Sequence, residues 1–291
     1  MAARWPAMSA ERATDDQAGL VVGRPVRVAP GIIRVLAPNP SPMTGPGTNS
    51  YIAEGPRALI IDPGPDDREH LEKLAQLAGP GVRAICLTHR HSDHAAGAAR
   101  LAAMTGAPIR AWPKTALGEH DSAIVNEAPL VEGERLTAGG QRLAVWHSPG
   151  HAADHVVFAA DQANLLIAGD TLMQAATVVI LPPDGRMADY LATLDRLAGL
   201  APQRIAPAHG ALIDDAPGEI ARVKAHRLRR EAQIAERLGG HAQSPEALVA
   251  RLYPELSAAL VPVAARQVLA HLIHLDEQGR AVFGPDGWRG A

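Results

Sequence analysis

Between residues 89 and 94 this chain places three imidazoles and a carboxylate, in the run Thr88-His89-Arg90-His91-Ser92-Asp93-His94. Imidazole and carboxylate are the side chains that hold borderline cations such as zinc. The residues before the run, 82–87, are apolar and read as a buried strand; those after it, from Ala95, read as a helix of residues 95–105. The cluster therefore sits on a strand-to-helix turn, at the carboxyl end of a strand, where α/β sheets place their chemistry. A lone histidine carries no such message, being most often a surface or packing residue.

The pattern around the cluster is one of strands punctuated by turns. Residues 26–28 and 32–36 read as strands joined at Pro30-Gly31, and 50–53 and 58–61 as a hairpin over Glu54-Gly55-Pro56. The intervening loop, 38–49, is too rich in proline and glycine for a helix and is expected to lie over the edge of the site. A helix over 66–78 opens with Asp66 and Asp67, which suit the positive end of its dipole. Further strands are expected at 108–111, 143–147, 156–159, 165–168 and 204–207, with an amphipathic helix at 188–198. Three of these strands end in ligand-type residues: His151 follows 143–147, Asp170 follows 165–168, and His209 follows 204–207.

Beyond Asp214 the character changes. Residues 219–238 form one long Arg-rich helical pattern ended by Gly239-Gly240. Ser244-Pro245 is an N-cap followed by proline at the first helical position, opening a short helix, and 264–278 is another. Residues 279–284 read as a strand and turn. Three helices and a small β element suggest a winged-helix-like appendage. The division is then a leader over 1–19, a domain over 20–215 and a C-terminal domain over 216–291.

Composition limits the function classes. A chain of 291 residues with 47% hydrophobic residues suits one large domain plus a small one. The formal charge of -3 gives no bulk attraction to nucleic acid, and 3% aromatics leaves few stacking platforms for bases. The single cysteine, Cys86, falls inside a strand pattern and reads as a small buried hydrophobe. No apolar run reaches membrane-spanning length and no secretory signal opens the chain, so no membrane partner and a cytoplasmic location are expected.

The motifs T-H-x-H-x-D-H, S-P-G-H, G-D and A-H-G, in this order from about residue 25 to 215, resemble the metallo-β-lactamase superfamily. The resemblance implies a four-layer αββα sandwich, an α/β fold, with a two-metal site on its edge. It assigns His89, His91 and His151 to one metal and Asp93, His94 and His209 to the other, with Asp170 bridging both. It implies two Zn2+, with Mn2+ or Fe2+ as alternatives. Paired cations share a bridging hydroxide and polarise the substrate oxygen; Asp93 would aim that hydroxide and act as the catalytic carboxylate. Asp62, in Asp62-Pro63-Gly64, matches a residue that supports the ligand loop, though a turn before Pro-Gly also favours aspartate. His155 follows the family pattern as a supporting residue. His70, His120, His147, His226, His241, His271 and His274 have no motif context and read as surface or packing histidines.

Departures from the family narrow the branch. His91 stands where the flavo-diiron oxidoreductases carry Glu, which favours hydrolysis. Asp170 stands where the best-known zinc β-lactamases carry Cys, which disfavours antibiotics as substrates. The tyrosine of quorum-signal lactonases, the glutathione-holding residues of glyoxalase II and the insertion of β-CASP nucleases are all missing. Asn39-Pro40-Ser41-Pro42, Gly45-Pro46-Gly47-Thr48-Asn49, Pro182-Pro183-Asp184-Gly185, the run His226 to Ile234 and His271-Leu272 are similar to the β-lactamase-like protein 2 branch. The expectation is a metal-dependent hydrolase of an ester, thioester or phosphodiester. Alternatives are an endoribonuclease on single-stranded RNA, a glyoxalase II-like thioesterase, and a non-catalytic metal-binding protein. For RNA, Arg222, Lys224, Arg227, Arg229 and Arg230 would line a phosphate path; the competing reading is a solvated helix face paired with Glu219, Glu231 and Glu236. Oligomeric state is open, a homodimer among the options.

Overall fold

Strands buried at every position, because they are covered on both faces, build the main body. The computed structural model describes residues 20–113, 128–138, 140–174 and 176–291; the expected leader, 1–19, and His120 lie outside them. Six strands form one sheet in chain order: β1 (Pro25–Ala29), β2 (Ile32–Leu36), β3 (Asn49–Ala53), β4 (Leu59–Ile61), β5 (Ala84–Cys86) and β6 (Ile109–Arg110). The first three pairings are antiparallel and the last two parallel. The second sheet runs β11 (Arg204–Pro207), β10 (Leu165–Gly169), β9 (Val156–Ala160), β8 (Gln141–His147), β7 (Arg135–Ala138). Strand β7 was not foreseen: four residues with only Leu136 and Ala138 buried make a weak pattern.

Leu59 and Ile61 point into the space between the sheets, where they meet Val145, Phe158, Leu165 and Ile167. Ile60 points the other way, onto Leu71 and Leu74 of α1 (Arg68–Ala78) and Leu101 of α3 (Ala98–Thr105). On the far side Leu166 and Ala168 meet Tyr190, Leu194 and Leu197 of α4 (Met187–Leu200). Each side chain thus faces one of two cores, as a strand's alternation dictates, and the strands read as continuous apolar runs because both faces are covered. The result is the four-layer αββα sandwich.

The helix after the cluster differs from expectation. It starts earlier, as α2 (Ser92–Ala95) with His91 at its N-cap, and breaks before α3. Gly97 is the reason: its N–H donates to the Gly64 carbonyl at 2.9 Å, and a Cβ there would fall 2.7 Å from the Pro65 carbonyl oxygen and from Leu71 Cδ2. Asp93 and His94 consequently ride on a single helical turn rather than a loop.

Helix α5 (Ala216–Leu238) is longer than expected, because Asp215 caps it by accepting from Gly218 N–H at 2.9 Å. Its first half packs Ile220 and Val223 on the sandwich. Its second half packs Ile234 and Leu238 with Leu248 and Val249 of α6 (Pro245–Leu252), Val268 and Leu272 of α7 (Val261–Glu277), and Trp288 on the hairpin β12 (Ala281–Gly284) and β13 (Gly287–Gly290). Three helices and a hairpin complete the winged-helix unit. One stretch, Ala258–Glu277, has the length and mean hydropathy (1.4) of a membrane span, contrary to expectation; Val268, Leu272 and Leu275 within it are packed in the C-terminal core.

The Arg-rich face of α5 is not the evenly solvated surface of the competing reading. Arg222 pairs with Glu219 and Lys224 with Asp195. Arg227 is buried, donates to the Val178 carbonyl and lies over the Tyr190 ring, and Arg230 lies over Tyr253. Glu231 is buried too, 2.6 Å from His274 Nδ1 and 3.4 Å from His271 Nδ1. Helices α4 and α7 cover that side of α5, which an amphipathic pattern alone does not reveal.

Candidate metal centre

The seven expected ligand residues converge at one edge of the sandwich, from four separate turns. His89 and His91 follow β5, His94 and Asp93 lie on α2, His151 follows β8, Asp170 ends β10 and His209 follows β11. Two local devices bring the turns together. A buried ion pair, Arg90 Nη1 to Asp154 Oδ2 at 2.6 Å, ties the first turn to the His151 turn. Gly169, at φ 49°, lets β10 end against Thr88; a Cβ there would fall 2.6 Å from His155 Nε2 and 2.8 Å from Thr88 Cβ. The missing Cβ permits this close approach, which carries Asp170 to the centre.

Two groups of ligand atoms result. In one, His91 Nδ1 lies 2.9 Å from His89 Nε2 and 3.0 Å from His151 Nε2. In the other, His209 Nε2 lies 3.3 Å from both Asp93 Oδ2 and Asp170 Oδ1, and His94 Nε2 lies 3.4 Å from Asp93 Oδ2 and 3.5 Å from Asp170 Oδ1. Asp170 faces both groups: its Oδ2 is 3.4 Å from His151 Nε2. Four ligands placed tetrahedrally about 2.0–2.1 Å from a zinc ion would stand about 3.3 Å apart. The second group has that spacing, and the first is slightly tighter.

The chemistry of the donors fits a cation. His94 Nε2 and Asp170 Oδ1 are buried with no hydrogen-bond partner, a costly arrangement that a bound cation removes. The other nitrogen of four of the five rings is already engaged. His94 Nδ1 is 3.0 Å from Asp62 Oδ2, His151 Nδ1 2.7 Å from the Val179 carbonyl, His209 Nδ1 3.1 Å from the Gly47 carbonyl and His89 Nδ1 3.1 Å from Thr88 Oγ1. Such partners fix the tautomer that leaves a lone pair for a metal. Asp62 also accepts from Thr88 N–H and Thr88 Oγ1–H, each at 2.7 Å, so it anchors the turn as well as the ring. His155 donates no ligand atom; its Nε2 accepts from Asp170 N–H at 3.0 Å.

Without a cation the two groups differ in charge. Burial and neighbouring imidazoles hold His89 well below its usual range, and burial holds His151 at about 4. Burial acts the same way on His94 and His209, but the carboxylates outweigh it: Asp93, Asp170 and Asp62 lift His94 well above normal, and Asp170 and Asp93 lift His209 to about 9. Burial would raise Asp93 and Asp170, yet the imidazoles of His94 and His209 hold both low. Protons on two imidazoles thus balance two ionised carboxylates.

A cleft of about 460 Å³ opens over these atoms. Ser41 to Thr44 of the proline-rich loop form one wall, as expected, and Met173, Val178, Val179 and Leu181 an apolar one. Sequence reasoning missed Asp184, whose Oδ1 accepts from Ala153 N–H at 2.8 Å and whose Oδ2 is 3.6 Å from His91 Nε2. The Pro182-Pro183-Asp184-Gly185 motif was the available signal. It also missed Arg266, which lines the cleft from α7.

Comparison with known proteins agrees with this geometry. Residues 43–209 match the family described as the metallo-beta-lactamase superfamily, and 244–288 match the beta-lactamase associated winged helix domain. The beta-lactamase-like protein 2 homolog of Drosophila melanogaster is 31% identical over 281 residues, covering 87% of this chain and 90% of its own. The atrochrysone carboxyl ACP thioesterase AgnL7 of Paecilomyces divaricatus is 32% identical over 71% of this chain, which spans 64% of that relative's length. A beta-lactamase domain protein from Burkholderia ambifaria shares the fold, with a TM-score of 0.80 at 22% identity over 93% of this chain and 94% of its own. TTHA1623, solved in a di-iron-bound form, is 28% identical with a TM-score of 0.53, over 66% of this chain and 98% of its own.

Proposed function

The chain belongs to the metallo-β-lactamase superfamily, and on that premise we propose that it is a two-metal hydrolase of acyl esters and thioesters. One observation carries the reading: Asp170 presents Oδ2 to the His151 group and Oδ1 to the His94 and His209 group, so one carboxylate can serve two cations. His89, His91 and His151 would hold the first, Asp93, His94 and His209 the second, and Asp170 could serve both. Zinc suits this nitrogen and oxygen set, as do iron and manganese. When bound, the pair supplies a water activated near neutral pH and a Lewis acid for the substrate carbonyl.

The protein's own part is positioning. Asp93 is the more open of the two carboxylates, 29% exposed against 11% for Asp170, and it faces the cleft; it would orient the attacking water by accepting a hydrogen bond from it. Asp62, the Val179 carbonyl and the Gly47 carbonyl hold the imidazoles in the ligating tautomer. The apolar wall of Met173, Val178, Val179 and Leu181 receives an acyl chain and excludes water from it. The relative named as an acyl carrier thioesterase supports this substrate class. The endoribonuclease reading lacks comparable support, since Arg222, Lys224 and Arg227 are each engaged within the protein.

The test is turnover of an acyl N-acetylcysteamine thioester, an aryl ester, a bis-aryl phosphodiester and single-stranded RNA, each with and without chelator. Chelator-sensitive cleavage of the thioester or ester is expected. Chelator-sensitive cleavage of RNA or phosphodiester alone would overturn the substrate class.

A further inference from the structure

Residues 178–185 reach the metal centre from outside the ligand turns. Val179 gives its carbonyl to His151 Nδ1 at 2.7 Å, and Asp184 stands 3.6 Å from His91 Nε2. One imidazole of the first group is therefore hydrogen-bonded to this strap, and a second faces its carboxylate. The same strap supplies Val178, Val179, Leu181 and Asp184 to the cleft wall. It contains no helix or strand, so its shape depends on what grips it.

The grip comes from the C-terminal helices. Arg227 of α5 donates to the Val178 carbonyl. Gln267 Oε1 of α7 accepts from Ile180 N–H at 2.8 Å, and Arg266 Nη2 donates to the Pro182 carbonyl at 2.8 Å. Three side chains thus hold alternate residues, 178, 180 and 182, by their backbone, which leaves the Val179 carbonyl free to turn toward His151. Ile180 and Val178 are also buried in the core shared by α4, α5 and Ala270 of α7. Among the described residues no equivalent contact reaches the second group: His94 and His209 are oriented by Asp62 and Gly47, both in the sandwich.

We propose that the winged-helix unit is a positioning element for one metal only, with Gln267 and Arg266 as positioning residues that set His151 and His91 through the strap. The inference rests on the two-metal reading above. It gives the C-terminal unit a task inside the catalytic centre that does not depend on a macromolecular partner.

The test isolates each group and measures metal affinity, not turnover. A His209→Ala background keeps the first group intact, and a His151→Ala background keeps the second. Zinc affinity is measured in each by competition with a chromophoric chelator. Outer partners of metal ligands typically contribute tenfold to a hundredfold in affinity; one bond further out, Gln267→Leu is expected to weaken the first group about threefold to tenfold. The second group should change less than about twofold. Gln267→Glu keeps the acceptor for Ile180 N–H and should restore the first group. Arg266→Gln repeats the loss by an independent contact. Arg251→Ala removes hydrogen bonds of α6 with Arg237 and Gln243, neither of which belongs to the strap, and should leave both groups unchanged. Equal loss at both groups in Gln267→Leu, or loss in Arg251→Ala as large as in Gln267→Leu, would mean general loosening and overturn the proposal. Unchanged affinity at the first group would overturn it alone; a parent protein that binds no zinc would overturn it together with the two-metal reading.

Discussion

Replacing Asp62 by Asn is the sharpest perturbation of the centre, because it changes one atom and no volume. Asp62 Oδ1 accepts from Thr88 N–H, while Oδ2 accepts from Thr88 Oγ1–H and faces His94 Nδ1 at 3.0 Å. An asparagine that keeps its carbonyl on Thr88 N–H turns its NH2 toward His94 Nδ1. Two donors then face each other in a buried site. The cheapest relief is for the imidazolium to give up its Nδ1 proton and keep the one on Nε2, the atom 3.4 Å from Asp93 Oδ2 and 3.5 Å from Asp170 Oδ1. A protonated Nε2 has no lone pair for a metal. The expected cost is about tenfold to a hundredfold in affinity at the second group, plus about 1.5–3 kcal/mol of stability for the lost charge-assisted hydrogen bond. Zinc competition in the His151→Ala background reads the first quantity, and denaturant unfolding of the metal-free protein reads the second. Affinity within about twofold of the parent would refute the claim that Asp62 selects the His94 tautomer.

Other outcomes follow from the same geometry. Asp93→Ala should abolish turnover while retaining at least one metal, because His89, His91 and His151 are untouched; full activity with both metals in that variant would remove Asp93 from the mechanism. Because His209 in the metal-free protein is lifted to about 9 and His94 is lifted well above its usual range too, metal must displace a proton from each, so affinity at the second group should rise about a hundredfold per pH unit from 7 toward 9. A flat profile there would contradict the charge balance described for Asp93, Asp170 and the two imidazoles. His70 is buried and held at about 4, chiefly by that burial, against an unfolded value of about 6.5. Between those values the unfolded chain binds more protons, so stability falls as pH drops from 6.5 to 4, by at most about 3 kcal/mol from this group. In the metal-loaded protein, where the ligand imidazoles are fixed, His70→Gln should shrink the melting-temperature difference between pH 7 and 4.5; an unchanged difference would assign the acid sensitivity elsewhere.

The strands that carry ligands were legible because each is a short apolar run stopped by a turn residue. Their alternation tells core from outer face only once both layers are known, as Ile60 against Leu59 and Ile61 shows. The convergence of His151, Asp170 and His209 on the first turn was legible from motif order, not from periodicity. Features made by long-range packing were not. Arg90 and Asp154 are 64 residues apart and pair only because two turns meet. Gln267 reaches Ile180 across 87 residues, and nothing local marks either. Arg227 and Glu231 look like a solvated helix face in sequence, since charge patterning along one helix is blind to the helices that cover it.

Metal content against the Asp170 variant tests the central claim most directly. Protein dialysed against zinc and then against metal-free buffer would be assayed by elemental analysis, as the parent chain and as Asp170→Ala. The account predicts about two zinc ions per chain in the parent, and one or fewer with hydrolysis lost in the variant, because one carboxylate faces both groups. Two ions retained in the variant, or fewer than two in the parent, would contradict a shared two-metal centre built on Asp170.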